Sequence, residues 1–488
     1  MHHSTRSRDR RSRTVRTAAA LLASTLAALG VVAVAEPARA VPVTITNGTQ
    51  FTATNGSIVH AHGGGVLKDG NFYYWFGENR TADNRFLAVS VYRSTDLKNW
   101  EFRNNVLTQS SAAELASANI ERPKVMFNAS TGKYVMWMHK ENGTNYSEAR
   151  AAVAVSSTID GTYTYQGSFR PQGSFMSRDI TIYNDNGTGY MISAADENFD
   201  LMIYRLTPDF LGIAAVVGNF WNDAHREAPA LFKRGSTYFM LTSAATGWNP
   251  NQAQYATSTS ISGPWSGWTN VGNSTTYSSQ PTFVLPITGT SGTSYLYLGD
   301  RWAGAWGGPV NDSQYVWLPI TFPSNTSMSL NWSPQITIDV AAGTITGLSP
   351  TYYRVTNRNS GRVMDVVSNS TANNAEVKQY AWNGGGNQRW EFQDAGGGYL
   401  RIVNQNSGKC LDVTSGSTAN GANIIQYTCG SGQNQQWQWV AIGSYFQLRA
   451  RHSGKCLDVV NSGTGDGADI QQFTCGSGNN QQWSRTAV

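Results

Sequence analysis

His225-Arg226-Glu227-Ala228-Pro229-Ala230-Leu231-Phe232 runs, past Arg234-Gly235, into Tyr238-Phe239-Met240-Leu241-Thr242-Ser243. Read alone, Glu227 is a charge at a strand start, and such charges are mostly solvated. The pattern recurs, however. Glu121-Arg122-Pro123-Lys124 leads to Tyr134-Val135-Met136-Trp137, and Arg178-Asp179-Ile180-Thr181 leads to Tyr190-Met191-Ile192-Ser193. Gln280-Pro281-Thr282-Phe283 leads to Tyr295-Leu296-Tyr297-Leu298, and His62-Gly63-Gly64-Gly65 leads to Phe72-Tyr73-Tyr74-Trp75. Five times a polar residue opens a unit whose second strand is aromatic-rich.

The opening residues His62, Glu121, Asp179, Glu227 and Gln280 are 59, 58, 48 and 53 residues apart. Each interval holds about four short strands, with Asp69-Gly70, Asn186-Gly187 and Arg234-Gly235 as hairpin turns. No stretch has a clear 3.6-residue amphipathic period. Similar four-strand units at this period predict an all-β fold led by a five-bladed β-propeller. A pair of β-sandwiches would not explain the similarity of the units. In a propeller the innermost strands line one channel, so the five opening residues converge at one mouth.

A second repeat follows residue 352. Gly361-Arg362-Val363-Met364-Asp365-Val366 matches Gly408-Lys409-Cys410-Leu411-Asp412-Val413 and Gly454-Lys455-Cys456-Leu457-Asp458-Val459. Each copy ends in Gln-x-Trp, at Trp390, Trp437 and Trp483. Three such copies predict a threefold β-trefoil with the three Trp in a shared core. The domains expected are a leader over 1–40, a propeller over 41–348 and a trefoil over 349–488.

The leader reading rests on an Arg-rich start, an apolar Ala-rich run from Thr17 to Ala35 and the small-x-small site Ala38-Arg39-Ala40. A retained membrane anchor is the competing reading, and Arg10-Arg11 raises a twin-arginine route. The first 40 residues carry seven Arg against Asp9 and Glu36, which leaves 29 basic and 29 acidic residues beyond them. The formal charge of +5 belongs to the leader, and a basic footprint for nucleic acid is absent. Cys410, Cys429, Cys456 and Cys475 form two equally spaced pairs, which in an exported chain read as two disulfides. The first copy has Val363 and Trp382 at those places and should lack one. No spacing suits zinc.

Three carboxylates and an amide at one mouth suit glycoside hydrolysis. Inversion needs a protonated acid at the leaving oxygen and a base for water on the other face, with carboxyls roughly 6.5–9.5 Å apart. A neighbouring carboxylate keeps the acid protonated. The competing reading is an ion-pair network that merely closes the channel.

Over residues 58–322 the chain resembles glycoside hydrolase family 43, in particular its exo-β-1,3-galactanase branch. The resemblance rests on His60-Ala61-His62-Gly63-Gly64-Gly65, Trp75-Phe76-Gly77-Glu78, Glu121-Arg122-Pro123-Lys124, Ser177-Arg178-Asp179, Arg226-Glu227-Ala228-Pro229, Thr246-Gly247-Trp248-Asn249-Pro250-Asn251 and Ser279-Gln280-Pro281-Thr282. The C-terminal repeat is similar to ricin-B-type carbohydrate-binding modules of family 13. The resemblance implies Glu227 as general acid and Asp179 as the carboxylate that tunes it. The wider family has an Asp base in the first blade; here His60–Gly63 holds no carboxylate, as in the galactanase branch. That branch implicates a Gln in the last blade, which points to Gln280. Glu121 is the competing base, or else it holds the sugar.

Glu78, Tyr146, Asn198, Thr246 and Trp248 are expected to contact substrate, by hydrogen bonds to hydroxyls and stacking on the apolar sugar face. Trp302 and Trp306 flank Gly-rich loops at the last blade, with lining of the mouth and simple packing as the two readings. His60 and His62 are read first as structural, with a channel water or metal as the alternative. Each trefoil copy offers a sugar pocket: Asp365, Tyr380 and Asn387; Asp412, Tyr427 and Asn434; Asp458, Gln471, Phe473 and Asn480. The third matches best, because Lys378 and Ile425 replace the amide in the other two. Turn capping is the alternative role of these Asp residues.

The resemblance thus implies a secreted, inverting exo-β-1,3-galactanase that releases galactose from the main chain of arabinogalactans, with a lectin-like module holding the polymer. The partner expected is galactan, with no nucleic acid, no membrane in the mature form, no cofactor and no metal, and the chain is expected to be a monomer. The rival readings are an α-L-arabinofuranosidase or β-xylosidase, and a galactan-binding protein that no longer hydrolyses.

Overall fold

The computed structural model describes residues 41–488; the expected leader lies outside them. The described residues are all-β, with only short 3-10 turns between strands. No helix among them is long and apolar enough to cross a membrane.

The first part is a propeller of five four-stranded antiparallel sheets in chain order. Their first strands are His62–Asp69, Asn119–Asn128, Ile180–Asp185, Arg226–Arg234 and Gln280–Gly289. Each first strand packs beside the next, and the fifth returns to the first. Both faces of every sheet are covered by neighbours, so the second strands read as nearly continuous apolar runs, as in Val135-Met136-Trp137-Met138. Five apolar cores fill the gaps between sheets. The core between the fifth and first sheets holds Trp75, Trp100, Tyr315 and Trp317. Val43–Thr46 closes this seam by pairing with Gln335–Asp339, which pairs in turn with Thr344–Gly347.

Four of the five first strands share a fault in register close to the mouth. It falls between His62 and Gly65, Glu121 and Lys124, Glu227 and Ala230, and Pro281 and Phe283. Extra residues there form β-bulges, which bend a strand and re-aim its side chains. Arg122 and Ala228 take positive φ of 55° and 54° within these bulges. The following Pro123 and Pro229 are tolerated because the ladder is already interrupted there. In the first sheet the bulge needs glycine: Gly63 has φ 62°, and a Cβ on Gly64 would lie 1.7 Å from the Phe76 carbonyl oxygen. The recurrent polar-x-Pro signature is therefore the sequence mark of a bulge that turns a side chain into the channel.

The second part is a trefoil of three like repeats. Tyr352–Asn357 pairs with Trp483–Ala487 and so joins its two ends. Trp390, Trp437 and Trp483 lie fully buried in one core. Each donates its indole N–H to a carbonyl 26 residues earlier, at Met364, Leu411 and Leu457. Disulfides join Cys410 to Cys429 and Cys456 to Cys475, each with Cα atoms 5.0 Å apart. In the first repeat Val363 sits buried at the matching place.

Candidate active site

The bulged strands meet around a cavity of about 370 Å³ at the mouth of the ring. Glu78, Glu121, Asp179, Glu227 and Gln280 all line it, as do Tyr146, Asn198, Trp248 and Trp302. The polar residues that open the second to fifth units are thus brought together.

Glu227 is 7% exposed. One carboxyl oxygen accepts from Gln280 Nε2 at 2.8 Å, and the other accepts from Asn198 Nδ2 at 3.1 Å. Burial, reinforced by the nearby Asp179 charge, pushes its pKa up to about 8. Among the described residues it makes no ion pair, unlike the other three carboxylates. Glu78 takes two N–H groups of Arg80 and the backbone N–H of Arg122. Glu121 accepts from Arg80 at 2.9 Å and from the Tyr146 hydroxyl at 2.7 Å, and lies 3.2 Å from His139 Nδ1. Asp179 accepts from the backbone N–H of Ala228 at 3.0 Å and pairs with Arg122 at 3.0 Å. A closing ion-pair network therefore exists, and Glu227 stands outside it.

The network sorts the acids chemically. Burial alone would raise the pKa of Glu121, but His139 and Arg80 outweigh it and hold the group well below the usual carboxylate range. Burial likewise works against His139, yet Glu121 and Glu141 raise it to about 9. Glu121 is a stabilised anion, hence a weak base and a good acceptor for sugar hydroxyls. Burial dominates at Glu78 and raises its pKa despite Arg80.

Gln280 is held on all four sides. Its Nε2 donates to Glu227 and, at 2.9 Å, to Ser243. Its Oε1 accepts from Trp302 Nε1 at 2.7 Å and from Arg122 Nη2. The guanidinium of Arg122 also lies over the Trp302 ring and donates to the Pro281 carbonyl at 2.9 Å. Arg122 thus ties Asp179 to Gln280, and both of these touch the Glu227 segment.

Glu121, His139 and Asp179 offer ligand atoms within 4.8 Å of one another. Arg80 and Arg122 already pair the two carboxylates, so a cation there would face two guanidiniums. His62 is fully buried, with Nδ1 3.0 Å from Asp300 and its ring stacked on Tyr315. That environment fits the structural reading.

One expected contact lies elsewhere, and Trp306 takes the packing one of its two readings. Thr246 is not on the cavity wall: its hydroxyl donates to the Asn249 carbonyl and accepts from Asn251, closing its own loop. Trp306 turns away from the cavity and packs on Gly430 of the trefoil. Arg80, Arg122, His139 and Ser243 were not assigned roles from sequence. A signal did exist for His139, because His139-Lys140-Glu141 ends an otherwise apolar buried strand. Arg122 lay inside a quoted motif, but its reach across the mouth depends on the bulge.

In the trefoil all three Asp residues are held alike. Oδ2 of Asp365 accepts from Asn387 and Gln388, that of Asp412 from Asn434 and Gln435, and that of Asp458 from Asn480 and Gln481. In the third repeat alone Gln471 also donates to Oδ1, at 2.8 Å, with Phe473 exposed beside it. Lys378 instead pairs with Asp469 at 2.9 Å. Tyr380 and Tyr427 are half-buried.

A family description, Glycosyl hydrolases family 43, matches residues 61–296. A second, Ricin-type beta-trefoil lectin domain-like, matches residues 342–427 and 433–488. An exo-β-1,3-galactanase from Clostridium thermocellum is 52% identical, over 91% of this chain and 100% of that one, with a TM-score of 0.62. The chain belongs to glycosyl hydrolase family 43. An exo-β-1,3-galactanase from Phanerochaete chrysosporium solved with galactose is 28% identical to this family 43 chain, over 90% of it and 98% of the other, with a TM-score of 0.64. A variant of that enzyme solved with β-1,3-galactotriose is 27% identical, over 91% and 94% of the two chains, with a TM-score of 0.62. The family 43 protein described here is a glycoside hydrolase with a ricin-type lectin domain.

Proposed function

We propose that this hydrolase is a secreted exo-β-1,3-galactanase that releases galactose from the main chain of arabinogalactans with inversion. The five sheets are its five blades, and the lectin domain holds the polymer. The observation that carries the reading is Glu227: buried, in no ion pair among the described residues, and held between Asn198 and Gln280 in the cavity. Full-length similarity to a galactanase supports the substrate class.

Glu227 is the general acid. Its raised pKa keeps it protonated near neutrality, and each carboxyl oxygen retains a lone-pair direction beyond its amide contact. Asp179 tunes it and holds the bulge backbone at Ala228. An amide is a weak base on its own, so Gln280 needs a relay. As Glu227 gives its proton to the glycosidic oxygen, its carboxylate can receive a proton from Gln280 Nε2. That nitrogen then takes a proton from the attacking water. Arg122 and Trp302 on Oε1 stabilise the intervening amide-derived anion. Glu121, locked in its ionised form, holds sugar hydroxyls beside Tyr146, and Trp248 offers an exposed ring to the apolar sugar face.

Export is supported by the two disulfides, which persist in oxidising compartments. The deciding experiment is digestion of β-1,3-galactan with the first-formed galactose anomer followed by NMR. α-Galactose from the β-linked chain meets the proposal; β-galactose rules out inversion, and binding without release leaves a lectin-like protein. Nitrophenyl arabinofuranoside and xyloside run in parallel test the rival glycosidase activities.

A further inference from the structure

The three trefoil repeats are alike in sequence but not in surroundings. Thr428 and Cys429 of the second repeat are buried, and so is Gly430. The matching Thr474 and Gly476 of the third repeat are exposed, as is Asn383 of the first. What covers the second repeat is the propeller. Thr275 Oγ1 donates to the Ser407 carbonyl at 2.9 Å, and Ser278 Oγ donates to the Gly408 carbonyl at 3.2 Å. The indole of Trp306 lies on Gly430 so closely that a Cβ there would fall 2.8 Å from Trp306 Cγ.

Trp306 ends the tight turn Ala303–Trp306. Trp302, just before that turn, lines the cavity and donates to Gln280 Oε1. Gly304, within it, lies under the Trp248 ring; a Cβ there would fall 2.4 Å from Trp248 Cγ. Trp248 and Trp302 pack edge to face with centroids 5.5 Å apart. One short turn therefore carries the aromatic wall of the cavity on one side and the trefoil contact on the other. Gly430 is itself fixed, because its N–H donates to Gln435 Oε1 at 2.8 Å and Gln435 Nε2 donates to Asp412 at 2.8 Å.

We propose that the second trefoil repeat is a positioning element of the catalytic site. Gly430 seats Trp306, and the seated turn holds Trp302 on Gln280 and Trp248 along the substrate wall. The lectin domain then contributes to turnover itself, in addition to tethering polymer. This rests on the hydrolytic reading above. A misplacement of about 1 Å at such a wall costs on the order of 100-fold in rate, so a tenfold effect needs only a small displacement.

The test uses the full chain and β-1,3-galactobiose, the shortest substrate that carries the β-1,3 linkage. Trp306→Ala and Gly430→Leu should lower kcat about tenfold or more, with KM changed much less. Trp306→Phe should recover most of the loss. Gly430 has no positive φ, so Ala and Leu are both allowed by the backbone; Gly430→Ala serves as the milder variant should Leu impair folding. Gly476→Leu makes the same change at the exposed counterpart and should leave kcat unchanged. Retention on immobilised galactan should match wild type throughout, and thermal melts establish that each variant is folded at the assay temperature. Wild-type kcat in Trp306→Ala and Gly430→Ala, with both folded, would overturn the positioning role. A wild-type enzyme that fails to cleave galactobiose or galactan would instead remove the hydrolytic reading.

Discussion

Glu227 differs from its neighbours by what it lacks. Glu78, Glu121 and Asp179 each face a guanidinium, whereas Glu227 faces two amides. Glu227→Gln should reduce galactan hydrolysis by about 100- to 10,000-fold while leaving galactan binding intact; substantial turnover would place the acid elsewhere. The same variant should change the pH dependence of stability. The folded pKa of Glu227, about 8, lies above its unfolded value. The native state therefore holds a proton that the unfolded state has lost, and stability falls as pH rises between the two values. Melting curves should show Glu227→Gln increasingly more stable than wild type from pH 5 to pH 9, on the order of a few degrees at the upper end. An unchanged difference across that range would mean the carboxyl is not perturbed. Gln280→Ala should cost activity on a similar scale, because it removes the proposed relay and unties Arg122. An active Ala variant would remove Gln280 from the base role.

At the scale of elements, the bulge and the trefoil core do the deciding. The bulge explains why Glu-x-Pro precedes an apolar strand: it interrupts the ladder, accepts Pro and turns the carboxylate inward. In the trefoil each buried Trp serves both packing and a hydrogen bond. Trp437→Ala should destabilise this domain by about 3–5 kcal/mol. Trp437→Phe should cost less, since it keeps most of the ring but leaves the Leu411 carbonyl without its indole partner. Chemical denaturation followed by near-UV circular dichroism measures both, and equal losses for the two variants would contradict the hydrogen-bond contribution.

At the scale of the whole molecule, the chain is stabilised unevenly. Both disulfides lie in the second and third trefoil repeats, while the propeller is closed by the pairing of Val43–Thr46 with Gln335–Asp339. Each disulfide closes a short loop, for which about 3 kcal/mol is the usual contribution. Reduction should lower the calorimetric transition of the trefoil and leave the propeller's less affected. Because the second repeat meets the turn that carries Trp302, galactobiose turnover should decline with the trefoil transition on heating the reduced protein. Turnover that outlives the trefoil would separate the two parts functionally.

The linear sequence by itself determined the two repeats, the all-β class and the set of residues that open the inner strands. Those are local, periodic signals, and any copy of them can be compared with the next along the chain. It also pointed to Glu227, Asp179, Glu121 and Gln280, since each sits at the same place in its unit. What the tertiary structure alone decided is how they differ. Arg122 reaches two units only because its bulge takes a positive φ. The proposed division between Glu121 as ionised holder and Glu227 as protonated donor follows from burial and charge set by residues far apart in sequence. Thr246 stood among the expected contacts yet closes its own loop, and only the closed chain shows that Trp306 packs against the trefoil. Hydrogen-bond partners, dielectric surroundings and the contact between repeats of different kinds exist only once the chain has closed on itself.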